Sequence, residues 1–540
     1  MTMKLLGAAF FILHSSFFVS CSDWDDHYEG TSTGSSLTLW EHLQQHSELS
    51  DFCRVLENTK VFRMHRKTVV SYRQLLENAD QSFTVVAPVN GSFNADSLIS
   101  LTQTAQGDSI VEKFFIKNLI SRTNTSLRDG VKPMLMLNSK HINITANTIS
   151  GIATRQANIA AANGVLHITE QPLPYNYNIY EALCDMPDLN EIGICMRQYE
   201  EDYFDADASV SSGIVEGVPV YIDSVVIERN RMLEHIGLLA SEDSAYWVVV
   251  PTNEGWLRAW EQASQYFKYD AKVLKADSLE HHYTCRALME DAVFNLTDQK
   301  STSDSLVSVP YLNWRRSWVS GKPVYHVFQN PFAADGVLYG ASAMDCSNGI
   351  VYKVNDWPFD PTLTYFKPLW AEGENTSLIT NHNSCNYNTR REVADSISED
   401  AYLQIIPTTN TSNWDMTFRL TNTLSGAYDV CVVILPKSVS NSVNPDVKPC
   451  KFKATLNYVD LDGKSQTFNC GNTQFQNNPE RIDTVVVAEN FTFPACNYGQ
   501  QDIKVSLKLQ CSILPRETTR FAREMYLDCI LLRPRITKPE

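Results

Sequence analysis

Two tryptophans and two arginines lie close together in one segment, and their side chains are of the kinds that contact sugars. Trp314 and Trp318 flank Arg315 and Arg316. Indole rings stack on sugar rings and on cations, and the guanidinium fork of arginine binds carboxylates or sulfates. We predict a ligand-binding site here if the indoles are exposed. The alternative is a strand whose tryptophans are core and whose arginines are solvated.

A second group of reactive side chains occupies residues 280–285 (EHHYTC). On a helix, His281 and Cys285 would share one face, which permits a metal site. Adjacent histidines point apart, however, and no further ligand motif accompanies them, so surface or core histidines are favoured. We predict no metal, no cofactor, no catalytic residue and no enzyme. The paired carboxylates of a glycosidase have no short-range signature, so that class stays open as an alternative.

Composition limits the possible partners. The 540 residues are 43% hydrophobic and 20% charged, which is typical of a globular chain with several domains. Lys and Arg number 45 against 62 Asp and Glu, for a formal net charge of −17. Long-range repulsion from phosphates therefore makes nucleic acid an unfavourable partner, and anionic membrane headgroups are disfavoured for the same reason.

Residues 1–20 have the pattern of a secretory signal peptide. One cation, Lys4, precedes the apolar run 5–13 (LLGAAFFIL), which is too short to span a membrane. The small residue before Cys21 resembles a bacterial lipobox, and the resemblance implies that the Cys21 thiol is diacylated. Acyl chains bind a membrane durably. The alternative is an ordinary secreted chain with a free Cys21 thiol.

Residues 21–36 form the predicted tether between this anchor and the folded chain. An acidic segment, 23–29 (DWDDHYE), is followed by the flexible stretch 30–36 (GTSTGSS). Acidic residues behind a lipidated cysteine resemble the surface-export signal of lipoproteins in some Gram-negative bacteria. The expected location is the outer membrane, with the chain lipid-anchored at the cell surface.

The following part of the chain contains an internal repeat. Residues 83–93 (FTVVAPVNGSF) recur as 246–256 (YWVVVPTNEGW), and residues 162–168 (ANGVLHI) recur as 347–354 (SNGIVYKV). The first pair predicts a buried strand that ends at proline and is followed by a capped helix start. In the second pair, Asn-Gly supplies a positive φ before a strand.

These two pairs resemble the two signature segments of the fasciclin domain, in the same order in both copies. The resemblance covers most of residues 37–357 and implies two tandem fasciclin domains, at 37–177 and 178–357. Each would be a compact β-sandwich or wedge ringed by short helices. Residues 39–43 (LWEHL) and 232–236 (MLEHI) are the predicted first helices of the two copies. The resemblance also implies extracellular modules that hold and adhere without turnover.

Residues 358–540 change to short alternating strands separated by Asn, Ser, Pro and Gly. We predict strands at 401–406, 414–420, 427–435, 451–458, 483–488, 503–509 and 525–532. This spacing without long helices favours a β-sandwich. Residues 526–534 resemble the closing strand of galactose-binding-like jelly rolls, which implies carbohydrate binding; a purely structural sandwich is the alternative. The predicted fold class is α+β, with two fasciclin domains before an all-β jelly-roll-like sandwich.

The cysteine count is compatible with disulfides in an exported chain. Beyond Cys21 there are twelve cysteines, enough for up to six disulfides. Cys184 and Cys195 are close enough in sequence for a local pair. Cys431 and Cys529 lie in apolar strand runs, where a buried thiol is favoured.

Together these features predict a protein that acts by binding at the cell exterior. The expected role is adhesion, or glycan capture as an accessory of an outer-membrane nutrient-import complex. The expected partners are the membrane through the anchor, and glycan or outer-membrane transporter proteins. A carbohydrate-active enzyme acting through the C-terminal sandwich and a structural scaffold are the alternatives.

Overall fold

The computed structural model describes residues 35–63, 66–215, 218–296, 304–308, 326–392, 396–440 and 447–536. The chain divides into two compact units, one ending at Asn176 and one beginning at Tyr177. Helices and strands alternate through the first unit and the first half of the second. Beyond residue 357, the described elements are strands and short 3-10 turns. The fold is therefore α+β, as predicted.

The first unit surrounds one mixed sheet with short helices. Its helices are α1 (Leu39–Gln45), α2 (Ser50–Asn58), α3 (Tyr72–Glu77), α4 (Ala95–Leu101) and α5 (Ala105–Val111). Its strands are β1 (Lys60–Arg63), β2 (Arg66–Ser71), β3 (Phe83–Pro88), β4 (Ile120–Ser121), β5 (Lys132–Leu135), β6 (His141–Ile144), β7 (Thr148–Ile149), β8 (Ile152–Ala161) and β9 (Gly164–Thr169). Seven of these strands form one sheet in the order β4-β3-β9-β8-β7-β6-β5. The strands β3 and β9 are parallel and buried along their whole length.

Helix α1 starts where the sequence predicts it. The Thr38 hydroxyl accepts a hydrogen bond from the Glu41 backbone N–H, and the Glu41 carboxylate accepts one from the Thr38 N–H at 2.7 Å. This capping box satisfies donors that the first helical turn leaves unpaired. The helix then buries Leu39, Trp40 and Leu43 against the sheet core.

The second unit begins with a module of similar order, which we call the second module. Its helices are α6 (Ile179–Asp185), α7 (Asn190–Arg197), α8 (Leu233–Ile236), α9 (Asn253–Ser264) and α10 (Ala276–Glu290). Its strands are β10 (Glu200–Val215), β11 (Val218–Asn230), β12 (Tyr246–Pro251), β13 (Val293–Asn295), β14 (Ser305–Val307), β15 (Val327–Gln329), β16 (Ser342–Cys346) and β17 (Gly349–Val354). The repeated segments again form a parallel pair, β12 with β17, whose register matches that of β3 with β9.

A buried asparagine connects three parts of the first unit. Asn163, in the Asn-Gly turn before β9, is 1% exposed. Its Oδ1 accepts a hydrogen bond from the Leu39 N–H at 2.7 Å. Its Nδ2 donates to the carbonyls of Leu76 and Asn78 at 2.9 and 3.0 Å. The amide therefore joins the start of α1 and the end of α3 to the sheet.

The second module repeats this arrangement with Asn348. Its Oδ1 accepts a hydrogen bond from the Ile179 N–H at 2.8 Å, and its Nδ2 donates to the carbonyls of Leu239 and Ser241 at 2.8 and 2.9 Å. The two Asn-Gly turns are thus equivalent in bonding as well as in sequence.

This equivalence corrects one prediction about the second module. Residues 232–236 do contain a helix, the single turn α8, but it is not the first helix of the module. The partner of Asn348 Oδ1 is Ile179, which begins α6, so α6 takes the place of α1. The amphipathic pattern of 232–236 identified a helix correctly and could not show which buried amide it would face.

The glycines of the two turns have almost the same backbone conformation. Gly164 has φ of +147° and Gly349 has φ of +145°. A Cβ at Gly164 would lie 1.8 Å from the Phe83 carbonyl oxygen, and one at Gly349 would lie 1.9 Å from that of Tyr246. Close approach of two backbones therefore requires glycine at both positions.

A β-sandwich of two antiparallel sheets completes the second unit. Its strands are β18 (Leu369–Glu372), β19 (Ile379–Asn383), β20 (Cys385–Arg391), β21 (Ala401–Pro407), β22 (Asp415–Arg419), β23 (Gly426–Ile434), β24 (Lys451–Val459), β25 (Ser465–Gln476), β26 (Asp483–Phe493), β27 (Ser506–Cys511) and β28 (Met525–Arg535). The front sheet has the order β19-β22-β27-β24-β25. The back sheet has the order β20-β21-β28-β23-β26, with β18 also on β28. All seven predicted strands are confirmed, and β18, β19, β20 and β25 were not predicted.

The sandwich and the second module share one hydrophobic core. The ring of Phe366 lies 4.3 Å from that of Tyr266 in the second module and 4.9 Å from that of Tyr428 in the sandwich. Backbone hydrogen bonds reinforce this contact, including the Ser425 N–H to the Tyr266 carbonyl at 2.9 Å. The sandwich is therefore packed against the module that precedes it.

The structure pairs Cys195 with Cys285, which joins α7 to α10. The local pairing of Cys195 with Cys184 is thereby corrected, and Cys184 is a buried thiol. Disulfide pairing is a tertiary property, so the sequence could not select the more distant partner. Cys431 and Cys529 are buried, as predicted. No helix in the described ranges is long and apolar enough to cross a membrane.

Candidate functional site

The residues predicted to bind ligand, Trp314, Arg315, Arg316 and Trp318, lie outside the described residues. The predicted lipid-attachment residue, Cys21, also lies outside them. These assignments stay predictions. The candidate site is therefore built from the described surface of the second unit.

The histidine-rich segment 280–285 lies on α10 and packs against aromatic rings. The His281 ring is 4.8 Å from that of Trp260, and the His282 ring is 5.4 Å from that of Tyr199. Burial lowers the pKa of His282 to about 4, so this ring is neutral near pH 7. Cys285 is in the disulfide and offers no thiolate. Among the described residues, no group of three or more His, Cys, Asp or Glu side chains is placed to hold a metal ion.

The front sheet presents a polar surface on the side away from the core. Its strands alternate, so that Met416, Phe418, Leu507 and Leu509 enter the core while their neighbours point outward. We define the polar sheet face by its outward residues: Asn381, Asn383, Asp415, Thr417, Arg419, Lys451, Lys453, Thr455, Asn457, Thr467, Asn469, Ser506, Lys508 and Gln510.

Hydroxyl and amide side chains are linked across neighbouring strands of this face. Asn457 Nδ2 donates to Ser506 Oγ at 3.2 Å, and Thr467 Oγ1 donates to Asn457 Oδ1 at 3.2 Å. Thr455 Oγ1 donates to Asn469 Oδ1 at 3.4 Å. Hydroxyls and amides both donate and accept, so the same groups can exchange these bonds for bonds to the hydroxyls of a sugar.

Two cations of the polar sheet face are paired within the protein. Lys508 Nζ lies 3.2 Å from the Asp415 carboxylate, and Lys451 Nζ lies 2.7 Å from that of Glu517. Arg419, in the same face, has no ion pair with a described residue, and its Nε is buried without a hydrogen-bond partner. A buried donor without a partner is costly. The two terminal nitrogens of Arg419 are not buried in this way, so they are the atoms that an acceptor on the face could reach.

Three aromatic rings lie together at the open edge between the two sheets, on β24, β25 and β26. We call Tyr458, Phe468 and Phe491 the aromatic ledge. The Phe491 ring is 5.0 Å from that of Phe468 and 5.2 Å from that of Tyr458. Phe468 is 39% exposed. The ledge is a second surface on which a sugar ring could stack.

A cleft opens at one end of the sandwich between the two sheets, and its polar lining includes Lys437, Lys448, Asn477 and Glu524. Glu524 is the carboxylate among its lining residues. Its Oε2 lies 3.3 Å from Lys437 Nζ, and its Oε1 accepts a hydrogen bond from Gln404 at 2.6 Å. Glycoside cleavage of the usual kind needs two carboxylates on either side of the scissile bond, and this cleft supplies one that is already paired.

Buried carboxyl groups gather where β18 pairs with the closing strand β28. Glu374 is 7% exposed and neither of its carboxyl oxygens has a hydrogen-bond partner. Burial, with the nearby charges of Glu372 and Asp528, raises the pKa of Glu374 to about 8. Burial likewise raises the pKa of Asp528 to about 7, against the hydrogen bond it accepts from the Ser398 N–H at 3.1 Å. At neutral pH Glu374 is therefore mostly protonated, and Asp528 is about half protonated.

Sequence reasoning did not identify the polar sheet face, although a signal was present. Residues 414–420 and 503–509 alternate between apolar and polar types, which assigns one side of each predicted strand to solvent. The order of the strands in the sheet was needed to bring Thr417, Thr455 and Lys508 into one row. The aromatic ledge depends on the same order.

Comparison with known protein families identifies one domain in the first unit. Residues 57–174 match the model of the fasciclin domain. No curated protein shows a significant match. Among solved structures, the FAS1 domain pair of the insect cell adhesion molecule fasciclin I is 12% identical. Its alignment covers 52% of this chain and 90% of that chain, with a TM-score of 0.19.

Two xylan-related structures also align with part of the chain. The Clostridium thermocellum xylanase 10B structure, with CBM22-1 and GH10 modules and bound xylohexaose, is 10% identical; the alignment covers 31% of this chain and 28% of that chain, with a TM-score of 0.22. The CBM22-1 xylan-binding domain from Paenibacillus barcinonensis is 16% identical, with 31% and 92% covered and a TM-score of 0.21. These TM-scores are too low to support a functional assignment. The family model gives the firm result: the first unit of this chain contains a fasciclin domain.

Proposed function

We propose that the chain is a non-enzymatic, lipid-anchored protein of the bacterial outer surface that binds glycan on the polar sheet face of its C-terminal sandwich. The fasciclin domain indicates an adhesion-type role for the first unit. The repeated Asn-Gly turn supports a second fasciclin domain in the second module. An outer-membrane nutrient-import complex is the proposed setting, in which transporter proteins would be partners.

One observation carries the glycan proposal. Each central strand of the front sheet, β22, β24 and β27, presents hydroxyl, amide and charged side chains to solvent within the polar sheet face. Thr417, Thr455 and Ser506 are half-buried, so they are held in place by their neighbours. Sugars offer many hydroxyls to such a surface, and preorganised donors and acceptors lose little freedom on binding.

The alternatives differ in what they require. An enzyme acting on carbohydrate requires two convergent carboxylates beside a groove, whereas the cleft at the end of the sandwich contains the paired Glu524. A scaffold requires a broad apolar surface for protein partners. Neither an enzyme nor a scaffold needs the rows of threonine and asparagine on the polar sheet face. Glycan binding does use such side chains, and we therefore propose it first.

Glycan retention tests this function. We expect the double variant Thr455→Ala/Asn457→Ala to bind a retained glycan at least about tenfold more weakly, because two hydrogen bonds of about 1 kcal/mol are lost. A glycan array followed by affinity measurement on the best hit provides the readout. Thr389→Ala/Asn388→Ala changes the same residue types on the exposed β20 of the back sheet and should leave binding unchanged. Retention of no glycan, or equal loss in both variants, contradicts the proposal.

Anchoring has its own test. Cys21→Ser should release the protein from the membrane fraction into the soluble fraction, because the acyl chains that hold it can no longer be attached. Fractionation of cells expressing the full chain, followed by immunoblotting, measures the distribution. Ser22→Ala is the matched control and should stay with the membranes. Membrane retention of the Cys21 variant would refute the anchor.

A further inference from the structure

We propose that the polar sheet face recognises an anionic polysaccharide, specifically one built from uronic acids, and that Arg419 and Lys453 bind its carboxylates. This inference rests on the proposed function and specifies its ligand class. It follows from the charge of the face, from which of its cations are already paired, and from the spacing of the two that are not.

The charge of the polar sheet face is opposite to that of the whole chain. The chain has a formal net charge of −17. The face holds four cations, Arg419, Lys451, Lys453 and Lys508, and one carboxylate, Asp415. A local positive surface on an acidic protein attracts anions to that place and repels them elsewhere, which gives an anionic polymer a preferred site.

Pairing inside the protein leaves two of these cations available. Lys508 and Lys451 are neutralised by Asp415 and Glu517 at 3.2 and 2.7 Å. Arg419 and Lys453 have no ion pair with a described residue. The Nε of Arg419 is enclosed by the protein, whereas its two terminal nitrogens are neither buried nor bonded to a described residue, so a carboxylate would contact these terminal nitrogens. The fork of a guanidinium suits the two oxygens of a carboxylate.

The spacing of the two cations indicates a polymer. Arg419 lies opposite Ser506 on β27, which lies opposite Asn457 on β24. Lys453 lies four residues from Asn457 on the same strand, so strand spacing and rise place the two cations roughly 16 Å apart. That distance exceeds one sugar ring. Lys508, which is paired with Asp415, lies midway between them, with Thr417 and Thr455 on either side.

The ratio of neutral groups to available cations favours uronic acids over sulfated sugars. Between and around Arg419 and Lys453, the face offers Thr417, Thr455 and Asn457 as well as further neutral groups. A uronic acid residue carries one carboxylate and free hydroxyls, which matches this mixture. A heavily sulfated chain presents more charge and fewer hydroxyls than the face can satisfy.

Binding of the full chain to four polysaccharides tests the inference. The probes are polygalacturonate, its methyl-esterified form, dextran sulfate and neutral xylan. We expect polygalacturonate to bind most tightly, with at least tenfold loss on methyl esterification and a further loss as salt increases, because exposed charge pairs are screened. This comparison uses the unaltered protein, so it does not depend on the folding of a variant.

Variants locate the site. Arg419→Gln/Lys453→Gln should weaken polygalacturonate binding tenfold or more and reduce its salt dependence. Arg391→Gln/Lys464→Gln removes the same two types of charge from exposed positions off the face and should retain binding.

Equal loss of binding in both double variants overturns the location of the site, and a preference for dextran sulfate overturns the assignment of carboxylates as the bound groups. Equal binding of xylan and polygalacturonate overturns this inference while the proposed function stands, whereas binding of no polysaccharide overturns the proposed function itself.

Discussion

Replacing Gly349 with alanine is expected to destabilise the second unit by about 4 kcal/mol or more, and Gly164→Ala should do the same to the first unit. Each new Cβ would lie within 2 Å of a backbone carbonyl oxygen of the neighbouring parallel strand. Backbone atoms cannot move aside as a flexible side chain can. The parallel pairs, β3 with β9 and β12 with β17, would have to separate.

Two other glycines provide matched controls. Gly91 and Gly340 also have positive φ, +74° and +69°, but a Cβ at either would meet nothing within 4 Å. Alanine there should cost only the roughly 1 to 2 kcal/mol of a left-handed backbone. Hydrogen exchange read by mass spectrometry reports each unit separately. If Gly349→Ala and Gly340→Ala destabilise the second unit equally, the close strand approach is not what makes glycine necessary.

The contribution of Glu374 to the free energy of unfolding of the second unit is expected to decrease as pH rises from about 4.5 to 8. The pKa of Glu374 is raised to about 8 in the folded chain, from an ordinary value of 4.5. Between these values the folded state holds a proton that the unfolded state has released, so raising the pH favours unfolding. The contribution is complete below pH 4.5 and is lost as pH passes 8. The size of the pKa shift sets an upper limit of about 5 kcal/mol.

Glu374→Gln isolates this contribution because glutamine cannot ionise. The variant should lose the Glu374 part of the pH dependence and be more stable than the parent at pH 8 and above. Denaturant unfolding at several pH values measures the difference between the two chains. Glu489→Gln, which changes an exposed carboxylate at 79% side-chain exposure, should follow the parent curve. A parent and a Glu374 variant with the same slope would contradict the raised pKa.

Much of the fold could be predicted because local patterns repeat. The two strand-proline segments and the two Asn-Gly segments identified the strands that the structure joins as a parallel pair in each copy, and the hydrogen bonds of Asn163 and Asn348 explain why asparagine recurs. Seven sandwich strands were evident from apolar alternation. β19 (ITNHN) and β20 (CNYNTRR) were not, because their exposed, polar residues resemble a loop.

The candidate site was less accessible from sequence. Arg419 and Lys453 are 34 positions apart in the chain and reach the same surface only through the strand order β22-β27-β24. Which cations are paired depends on contacts such as Lys451 with Glu517, far apart in sequence. The pKa of Glu374 is raised because the side chain is buried, and the residue types around it in the sequence do not predict that burial.

The common core of the sandwich and the second module limits how this protein can be divided for engineering. A fragment beginning at residue 358 would leave Phe366 and Tyr428 without Tyr266, and the Ser425 N–H without its acceptor. Such a fragment would expose apolar surface that the second module normally covers, and it would tend to aggregate. A fragment meant for fusion to another protein should instead begin at Tyr177, where the second compact unit begins.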